Sequence, residues 1–403
     1  MKYIVVLADG MADYPLAELD YKTPMQVAAK PVIDCLAAKG KTGLVKTIPD
    51  GFQPGSDTAN LSVMGYDPLC YYSGRSPFEA ASMGVELRDS DITFRCNLVT
   101  LSEEKVYAQK KMLDHSADEI STAEARELIE AVNDQLGRGK MHFYPGVSYR
   151  HLLVWEEGPY DWELIPPHDI LGQKIEPYLP QGRDSALLQE LMESSVPLLS
   201  KHAVNKRRQE RGLRPANSLW IWGEGRKPRM PSFYEKFKLR GAVISAVDLI
   251  RGIGIIAGLK AINVDGATGT FHTNYRGKAE AALNALKRGY DFVYIHIEAP
   301  DECGHRFEVE KKVKAIERID AEAVRILKET LDSWGDDYKL LILPDHATPL
   351  SLRTHTADPV PFLLYNSSSP RTNPVSGFDE VSLKDSALFL AEGHKLMEFV
   401  LKA

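Results

Sequence analysis

Cysteine is scarce in this sequence, and the four cysteines present are far apart. Cys35, Cys70, Cys96 and Cys303 form no C-x-x-C pair within the 403 residues. A small secreted domain that is held together by disulfides needs a much denser framework of cysteines. The sequence therefore excludes that class of protein, and we expect all four thiols to be reduced.

Long hydrophobic runs are absent as well. The longest apolar stretch, residues 243–264, is interrupted by Asp248, Arg251 and Lys260. A membrane-spanning helix needs about 20 mostly apolar residues, so we expect none. The apolar run at the N-terminus stops at Asp9, which is too early for the hydrophobic region of a signal peptide. We expect a cytoplasmic protein that has no membrane partner.

Positive charge is not in excess. The 49 Lys and Arg residues are outnumbered by 56 Asp and Glu residues, which gives a formal net charge of −7. A mildly acidic chain lacks the electrostatic footprint of a nucleic-acid-binding protein. We therefore expect a small-molecule substrate or a protein partner and no nucleic acid, and the sequence leaves an oligomer open.

The apolar content is high enough for a large folded chain. Hydrophobic residues make up 44% of the sequence and charged residues 26%, which is typical of globular proteins. A single hydrophobic core stops growing at roughly 250–300 residues. A chain of 403 residues is therefore predicted to form two domains, or one core that carries a large insertion.

Four short runs rich in β-branched and aromatic residues predict buried strands. They cover residues 3–7, 292–297, 340–343 and 360–365. A helical stripe of apolar residues at 309–331 separates the second run from the third. This alternation predicts an α/β fold, in which a mostly parallel sheet has helices on both faces.

The middle of the chain has a different pattern. Residues 91–101 and 142–155 look like strands, and residues 121–136 look like a helix that begins with a capping box. The basic segment 205–217 looks like an ordered loop. We assign residues 76–244 to an α+β insertion that interrupts a discontinuous core of residues 1–75 and 245–403, with approximate boundaries.

Carboxylates and imidazoles occur at the ends of the predicted core strands. In open α/β sheets, ligands bind outside the carboxyl ends of the strands, so we expect these side chains to converge. Any one of them alone is more often a helix cap, a turn carboxylate or a surface histidine. Together, three Asp and three His without a thiolate suit two ions such as Mn²⁺, Mg²⁺ or Zn²⁺. They are Asp9, Asp301, His305, Asp345, His346 and His355.

A hydroxyl that could act as a nucleophile lies in residues 54–61, Pro-Gly-Ser-Asp-Thr-Ala-Asn-Leu. Ser56 follows a Pro-Gly turn and precedes a helical segment, where free backbone N–H groups favour an anion. The more common use of such a serine is an N-cap. On chemistry alone, Asp57 and Thr58 are rival candidates.

The chain resembles the archaeal-type, cofactor-independent phosphoglycerate mutases of the alkaline phosphatase superfamily over essentially its whole length. The segments that carry the resemblance are residues 7–11 (LADGM), 54–61 (PGSDTANL), 72–77 (YSGRSP), 94–97 (FRCN), 205–217, 300–305 (PDECGH), 344–346 (PDH) and 355–361 (HTADPVP). The resemblance implies an alkaline-phosphatase-like core and a role for each matching residue.

The resemblance implies that Ser56 is the phosphorylated nucleophile and that two divalent ions are bound. The implied ligands are Asp301, His305 and His355 for one ion, and Asp9, Ser56, Asp345 and His346 for the other. We expect Mn²⁺, with Mg²⁺, Zn²⁺ or Co²⁺ as alternatives, and no 2,3-bisphosphoglycerate.

The resemblance is looser for the residues that bind substrate. Arg75, Arg150 and Lys278 match basic positions expected to hold the phosphate and the carboxylate of the substrate, and a surface ion pair is the alternative for each. His115 lies in residues 114–119, which match the family only in part. We assign it to the substrate site as a proton-transfer group, with an exposed turn histidine as the alternative.

The implied reaction is the interconversion of 3-phosphoglycerate and 2-phosphoglycerate in glycolysis and gluconeogenesis, which is an isomerisation. The phosphoryl group passes to Ser56 and then to the other hydroxyl, while arginines of the insertion hold the glycerate by its carboxylate. A phosphatase, a phosphodiesterase, a sulfatase or another phosphomutase on the same metal core is the alternative. A non-catalytic protein that keeps the metals for structure is a further one.

Overall fold

The computed structural model describes all 403 residues, which form two compact units. Unit 1 consists of residues 1–72 and 230–403, and unit 2 consists of residues 73–229. The boundaries expected from the sequence lie at 75/76 and 244/245. The second boundary differs because the strand Gly241–Ile244 pairs with the strand Phe292–Ile297 in the sheet of unit 1.

The chain contains fifteen strands, of which the third to the ninth belong to unit 2. In chain order they are β1 Lys2–Ala8, β2 Lys41–Val45, β3 Ile92–Leu101, β4 Met112–Asp114, β5 Met141–Val147, β6 Arg150–Trp155, β7 Trp162–Glu163, β8 Gln181–Gly182, β9 Ser218–Arg226, β10 Gly241–Ile244, β11 Lys260–Ala261, β12 Phe292–Ile297, β13 Tyr338–Leu343, β14 Val360–Asn366 and β15 Phe389–Leu390.

The chain also contains fifteen α-helices, and none is long and apolar enough to cross a membrane. They are α1 Pro24–Val27, α2 Pro31–Ala37, α3 Ser56–Val63, α4 Pro68–Tyr71, α5 Ser76–Ser82, α6 Thr122–Leu136, α7 Ser185–Lys201, α8 Ala203–Glu210, α9 Phe233–Phe237, α10 Asp248–Ile256, α11 Tyr275–Lys287, α12 Ala299–His305, α13 Val309–Arg318, α14 Arg325–Trp334 and α15 Leu396–Lys402.

The eight strands of unit 1 form one sheet in the order β11-β10-β12-β1-β13-β14-β2-β15. The central strands β10, β12, β1 and β13 run parallel to one another, whereas β14 is antiparallel to both of its neighbours. These central strands are buried along almost their whole length, as expected for apolar runs that helices cover. The predicted α/β fold with a mostly parallel sheet is confirmed, and all four predicted strands are present.

The helix predicted over residues 309–331 is interrupted by one π-helical turn. Helices α13 and α14 are joined through Ile319–Val324, which has π-helical hydrogen bonding. This turn contains Asp320, whose carboxylate accepts hydrogen bonds from the backbone N–H groups of Val32 at 3.4 Å and Ile33 at 2.7 Å. Helix α2 has no side-chain cap of its own, so a distant carboxylate satisfies its first turn.

Unit 2 is built on an antiparallel sheet in the order β4-β3-β6-β5, with β9 also paired to β3. Its α+β character agrees with the prediction. The strand predicted over residues 142–155 is a hairpin of β5 and β6, because the chain turns at Ser148, which has a φ of +54°. The loop predicted from residue 205 is wrong up to residue 210, because those residues belong to α8.

A buried ion pair connects α13 to two loops of unit 1. The Lys312 ammonium donates to the Asp13 carboxylate at 2.6 Å and to the carbonyl oxygen of Thr348 at 2.8 Å. Both charged side chains of the pair are 0% exposed. Because the loop after β1 contains Asp13 and the loop after β13 contains Thr348, one ammonium group holds both loops in place.

We predict that Lys312→Met lowers the free energy of unfolding by about 3–5 kcal/mol, because it leaves the Asp13 carboxylate buried without its partner. The matched control is Lys311→Met, which removes the adjacent, exposed ion pair with Glu308. A surface pair contributes only about 0–1 kcal/mol. Chemical denaturation measures both variants, and equal losses would contradict the assigned role of the buried pair.

Candidate active site

The loops that follow the central strands of unit 1 place acidic and histidine side chains at one edge of the sheet. Asp9 follows β1 directly, Asp301 lies in the helix α12 after β12, and Asp345 follows β13 by two residues. Because these strands are parallel, their carboxyl ends share one edge. The antiparallel strand β14 begins at the same edge, and the segment before it contains His355.

The six side chains predicted to bind metal come together in two overlapping groups. The ligand atoms of Asp301, His346 and His355 lie within 4.8 Å of one another, and so do those of Asp9, Asp345 and His346. His305 completes the first group. Its Nε2 lies 3.3 Å from an Asp301 carboxylate oxygen and 2.9 Å from His355 Nε2.

Ser56 is the first residue of α3 and lies beside this cluster. Its Oγ is 3.1 Å from His346 Nε2 and 3.5 Å from Asp9 Oδ2. The rival residues are engaged elsewhere. The Asp57 carboxylate accepts from the Thr58 backbone N–H and from the Tyr72 hydroxyl, and the Thr58 hydroxyl donates to the carbonyl oxygen of Gly55. Of the three candidates, only Ser56 has a side chain hydrogen-bonded within the cluster.

The crowding of carboxylates dominates the electrostatics of the site. Burial raises the pKa of Asp9 well above its usual value, and the charges of Asp345, Asp301 and Glu298 raise it further. Burial alone would also raise the pKa of Asp301. The hydrogen bonds with His305 and His355 outweigh that effect, and the Asp301 pKa lies well below its usual value. Bonding to Asp301 in turn raises the pKa of His305 to about 9.

The donor set fits divalent cations. It consists of carboxylate oxygens, imidazole nitrogens and one hydroxyl without a thiolate, which suits Mn²⁺, Mg²⁺ or Zn²⁺. Asp9 is 2% exposed, and its Oδ1 accepts no hydrogen bond. A buried carboxylate oxygen without a donor is costly unless a cation or a donor reaches it. The residues present are therefore suitable for holding metal ions at this edge.

A second layer of buried side chains, which was not predicted from the sequence, orients the cluster. The Asn60 amide donates to the carbonyl oxygen of Ser56 and to Asp345 Oδ2, both at 2.8 Å. The Tyr294 hydroxyl donates to Asn60 Oδ1 at 2.7 Å, and His296 Nε2 lies 2.9 Å from Asp9 Oδ2. The signal in the sequence was the presence of polar residues at alternate positions of the otherwise apolar strand β12.

Lys278 was predicted to bind substrate, and the structure places it inside unit 1. Its side chain is 0% exposed, and its ammonium donates to the carbonyl oxygen of His296 at 2.9 Å. Burial lowers the pKa of Lys278 to about 8, and the charge of Glu298 partly opposes this shift. Contact with substrate stays a prediction for this residue.

In unit 2, three arginines lie near one another. The Arg95 guanidinium is 4.4 Å from the centre of the Trp222 ring, and its Nε donates to Glu79 Oε2 at 3.1 Å. Arg75 Nε lies 3.9 Å from the other oxygen of Glu79. Burial lowers the pKa of Arg95, Glu79 opposes the shift, and the charges of Arg75 and Arg150 add to it. Arg95 was not among the residues predicted from the sequence.

Two histidines and an aromatic ring belong to the same part of unit 2. The Arg150 guanidinium lies over the Tyr149 ring at 5.3 Å, and the His115 ring packs edge-on against Tyr149 at 5.6 Å. His168 contacts both His115 and Trp222. The structure thus brings together Arg75, Arg150 and His115, the three residues of unit 2 that were predicted to bind substrate.

Comparisons with known proteins give one consistent result. The family model for 2,3-bisphosphoglycerate-independent phosphoglycerate mutase matches residues 37–205. A probable 2,3-bisphosphoglycerate-independent phosphoglycerate mutase of Geobacter sulfurreducens is 52% identical, and the alignment covers 100% of both chains.

Two solved structures resemble the whole chain. A protein from Pyrococcus horikoshii has a TM-score of 0.82 and 30% identity, covering 100% of this chain and 96% of the other. A cofactor-independent phosphoglycerate mutase from Thermoplasma acidophilum has a TM-score of 0.69 and 28% identity, covering 100% of this chain and 99% of the other.

We predict that Mn²⁺ raises the melting temperature of the metal-free protein and that Asp301→Asn or His355→Ala reduces this shift. An ion that binds only the folded state adds about 2.7 kcal/mol at a concentration 100 times its dissociation constant. Differential scanning calorimetry measures the shift. His272→Ala is the control, because this histidine of unit 1 is exposed and outside the cluster. An undiminished shift in both ligand variants would show that the ion binds elsewhere.

Proposed function

Because the chain belongs to the family of 2,3-bisphosphoglycerate-independent phosphoglycerate mutases, we propose that it interconverts 3-phosphoglycerate and 2-phosphoglycerate through a phosphoserine at Ser56. The observation that carries the proposal is the position of the Ser56 hydroxyl, 3.1 Å from His346 Nε2 at the start of α3 and beside two groups of metal ligands. The enzyme is then an isomerase that acts on a small molecule.

Two divalent ions are part of the proposal. Asp301, His305 and His355 would hold one ion, and Asp9, Ser56, Asp345 and His346 would hold the other. We propose Mn²⁺, with Mg²⁺, Zn²⁺ and Co²⁺ as alternatives. Bound ions of this kind neutralise the negative charge on a transferring phosphoryl group and on the oxygens it moves between.

Ser56 performs the first transfer. Its Oγ forms a bond to phosphorus as the bond between phosphorus and the 3-oxygen of the substrate breaks. The proton that Ser56 gives up passes to the 3-oxygen, which leaves as a hydroxyl. Without a bound ion, the Ser56 hydroxyl lies within hydrogen-bonding distance of His346 Nε2. The N-terminal end of α3 favours the phosphate that results, because its first N–H groups and the helix dipole attract an anion.

The second transfer returns the phosphoryl group to the 2-hydroxyl of the same glycerate. The bond between Ser56 Oγ and phosphorus breaks as the 2-oxygen bonds to phosphorus, and the proton of the 2-hydroxyl returns to Ser56. The serine is thus regenerated, and no external phosphate donor is needed. This explains how such an enzyme works without 2,3-bisphosphoglycerate. Glycerate must stay bound between the two transfers, and we assign this task to Arg75, Arg95 and Arg150, whose guanidinium groups suit a carboxylate.

We also propose the partners of the enzyme and its location in the cell. Neither nucleic acid nor a membrane takes part in it. We place the enzyme in the cytoplasm, because the reaction belongs to glycolysis and gluconeogenesis and because all four cysteines are free thiols, as a reducing compartment requires.

We predict that Ser56→Ala abolishes the conversion of 3-phosphoglycerate to 2-phosphoglycerate, because the variant lacks the oxygen that accepts the phosphoryl group. A coupled enolase assay on Mn²⁺-loaded protein without added 2,3-bisphosphoglycerate measures the reaction. Mass spectrometry of the wild-type protein after brief exposure to substrate should find phosphate on Ser56. Phosphate on Thr58 with none on Ser56 would assign the nucleophile to Thr58.

We predict that Arg75→Ala and Arg150→Ala release glycerate and inorganic phosphate from 3-phosphoglycerate. Loss of a charge-assisted hydrogen bond costs about 1.5–3 kcal/mol, which is roughly 10- to 150-fold in the partitioning of the intermediate. Water then competes for the phosphoserine. The control is Arg138→Ala, which removes an exposed pair with Glu190 in the same unit. Equal loss of both activities would show that the arginines serve the first transfer instead.

A further inference from the structure

Thr348 is a fully buried residue that has no role in the reaction proposed above. It lies two residues after His346 in the loop that follows β13, and it is 0% exposed. Its backbone is fixed on both sides, because its N–H donates to the carbonyl oxygen of Ala12 and its carbonyl oxygen accepts from the Lys312 ammonium. The backbone position of Thr348 therefore does not depend on its own hydroxyl.

The Thr348 hydroxyl contacts both proposed metal shells. Its Oγ1 donates to Asp301 Oδ1 at 2.5 Å and lies 3.2 Å from His346 Nδ1. Asp301 belongs to the proposed shell of one ion, and His346 belongs to that of the other. One oxygen atom thus connects a ligand in helix α12 with a ligand in the loop after β13.

The direction of the hydrogen bonds follows from the chemistry of these groups. An ionised carboxylate only accepts hydrogen bonds, so the single hydroxyl proton of Thr348 must point to Asp301. Toward His346 the hydroxyl can then only accept, so His346 Nδ1 must carry a proton. The neutral ring then has a bare lone pair on Nε2, which is the atom that faces Ser56 Oγ at 3.1 Å.

The loop after β1 packs closely against the Thr348 hydroxyl. Gly10 has a φ of +61°, and a Cβ added there would lie 2.5 Å from Thr348 Oγ1 and 2.7 Å from the Asp301 Cα. The backbone at Gly10 therefore packs directly against the Thr348 side chain and against Asp301. Only a residue without a side chain at position 10 allows Thr348 and Asp301 to approach as they do.

We propose that Thr348 is a positioning residue that couples the two metal shells, fixing the Asp301 carboxylate and the His346 tautomer with one hydroxyl. This inference rests on the proposed function, since it takes Asp301 and His346 as ligands of different ions. Groups that orient metal ligands from behind typically contribute 10- to 100-fold to affinity. Loss of this hydroxyl should therefore weaken both sites, including the one to which Thr348 does not donate.

The test compares Thr348→Val with Thr348→Ser. Valine keeps the shape of the side chain and removes the hydroxyl, whereas serine keeps the hydroxyl and removes the methyl group. Thr100→Val is the control, because Thr100 is a buried threonine of unit 2 whose hydroxyl donates only to the carbonyl oxygen of Pro215. Each metal-free protein is titrated with Mn²⁺ by calorimetry, and the ring nitrogens of His346 are observed by ¹⁵N NMR before metal is added.

We expect Thr348→Val to bind both Mn²⁺ ions about 10- to 100-fold more weakly, with a lower kcat and little change in the KM for 3-phosphoglycerate. The proton on His346 should no longer be confined to Nδ1. Thr348→Ser should recover affinity, tautomer and kcat, and Thr100→Val should match the wild type.

Three results would overturn the inference. In one, Thr348→Val binds both ions as the wild type does. In another, it weakens only one of the two sites. In the third, Thr348→Ser behaves like Thr348→Val, which would assign the effect to the methyl group. If the wild-type protein itself neither binds Mn²⁺ nor turns over 3-phosphoglycerate, the proposed function fails, and that result is recognised before any variant is compared.

Discussion

The structure of unit 1 depends on one electrostatic constraint, which is the crowding of carboxylates at the carboxyl edge of its sheet. Asp9, Asp301 and Asp345 are buried there, and Glu298 lies beside them. Charges of one sign that are removed from water repel strongly, and burial adds a desolvation cost. The chain offsets part of this cost with neutral donors, such as the Asn60 amide on Asp345 and the Thr348 hydroxyl on Asp301. In the proposed function, bound divalent cations would neutralise the negative charge that remains.

The sequence predicts this edge well because the information is local. Apolar strands that end in Asp or His are visible without knowledge of the fold, and parallel pairing brings their ends together. His355 is the instructive exception, since it precedes its strand instead of following it. In an all-parallel sheet it would lie at the opposite edge. Because β14 is antiparallel to its neighbours, its first residue lies at the same edge as the last residues of the parallel strands, and so does His355. The periodicity of the sequence does not reveal the direction of β14.

The supporting side chains could not be predicted in the same way, because each depends on a partner far along the chain. Asn60 and Asp345 are 285 residues apart, and Tyr294 reaches Asn60 across 234 residues. The sequence nevertheless contains a pattern that indicates these supporting side chains. Thr93, Arg95 and Asn97 alternate with apolar residues in β3, as Tyr294 and His296 do in β12. A buried strand with polar residues at every second position has one face whose polar groups need specific hydrogen-bond partners. Such a pattern indicates a face that belongs to a site.

The positive charges of Arg75, Arg95 and Arg150, the arginine cluster of unit 2, help to explain how a mutase differs from a hydrolase with a similar core. After the first transfer, the former substrate has two neutral hydroxyls and one carboxylate, so the carboxylate is the only charged group by which glycerate can be held. Glu79 neutralises about one of the three guanidinium charges of Arg75, Arg95 and Arg150. The cluster therefore keeps a positive charge, which would bind the carboxylate of glycerate in the proposed function. The Glu79 carboxylate and the Trp222 ring keep the Arg95 guanidinium in one orientation. Retention through a group that does not react leaves both hydroxyls free to receive the phosphoryl group, which is what an isomerisation requires.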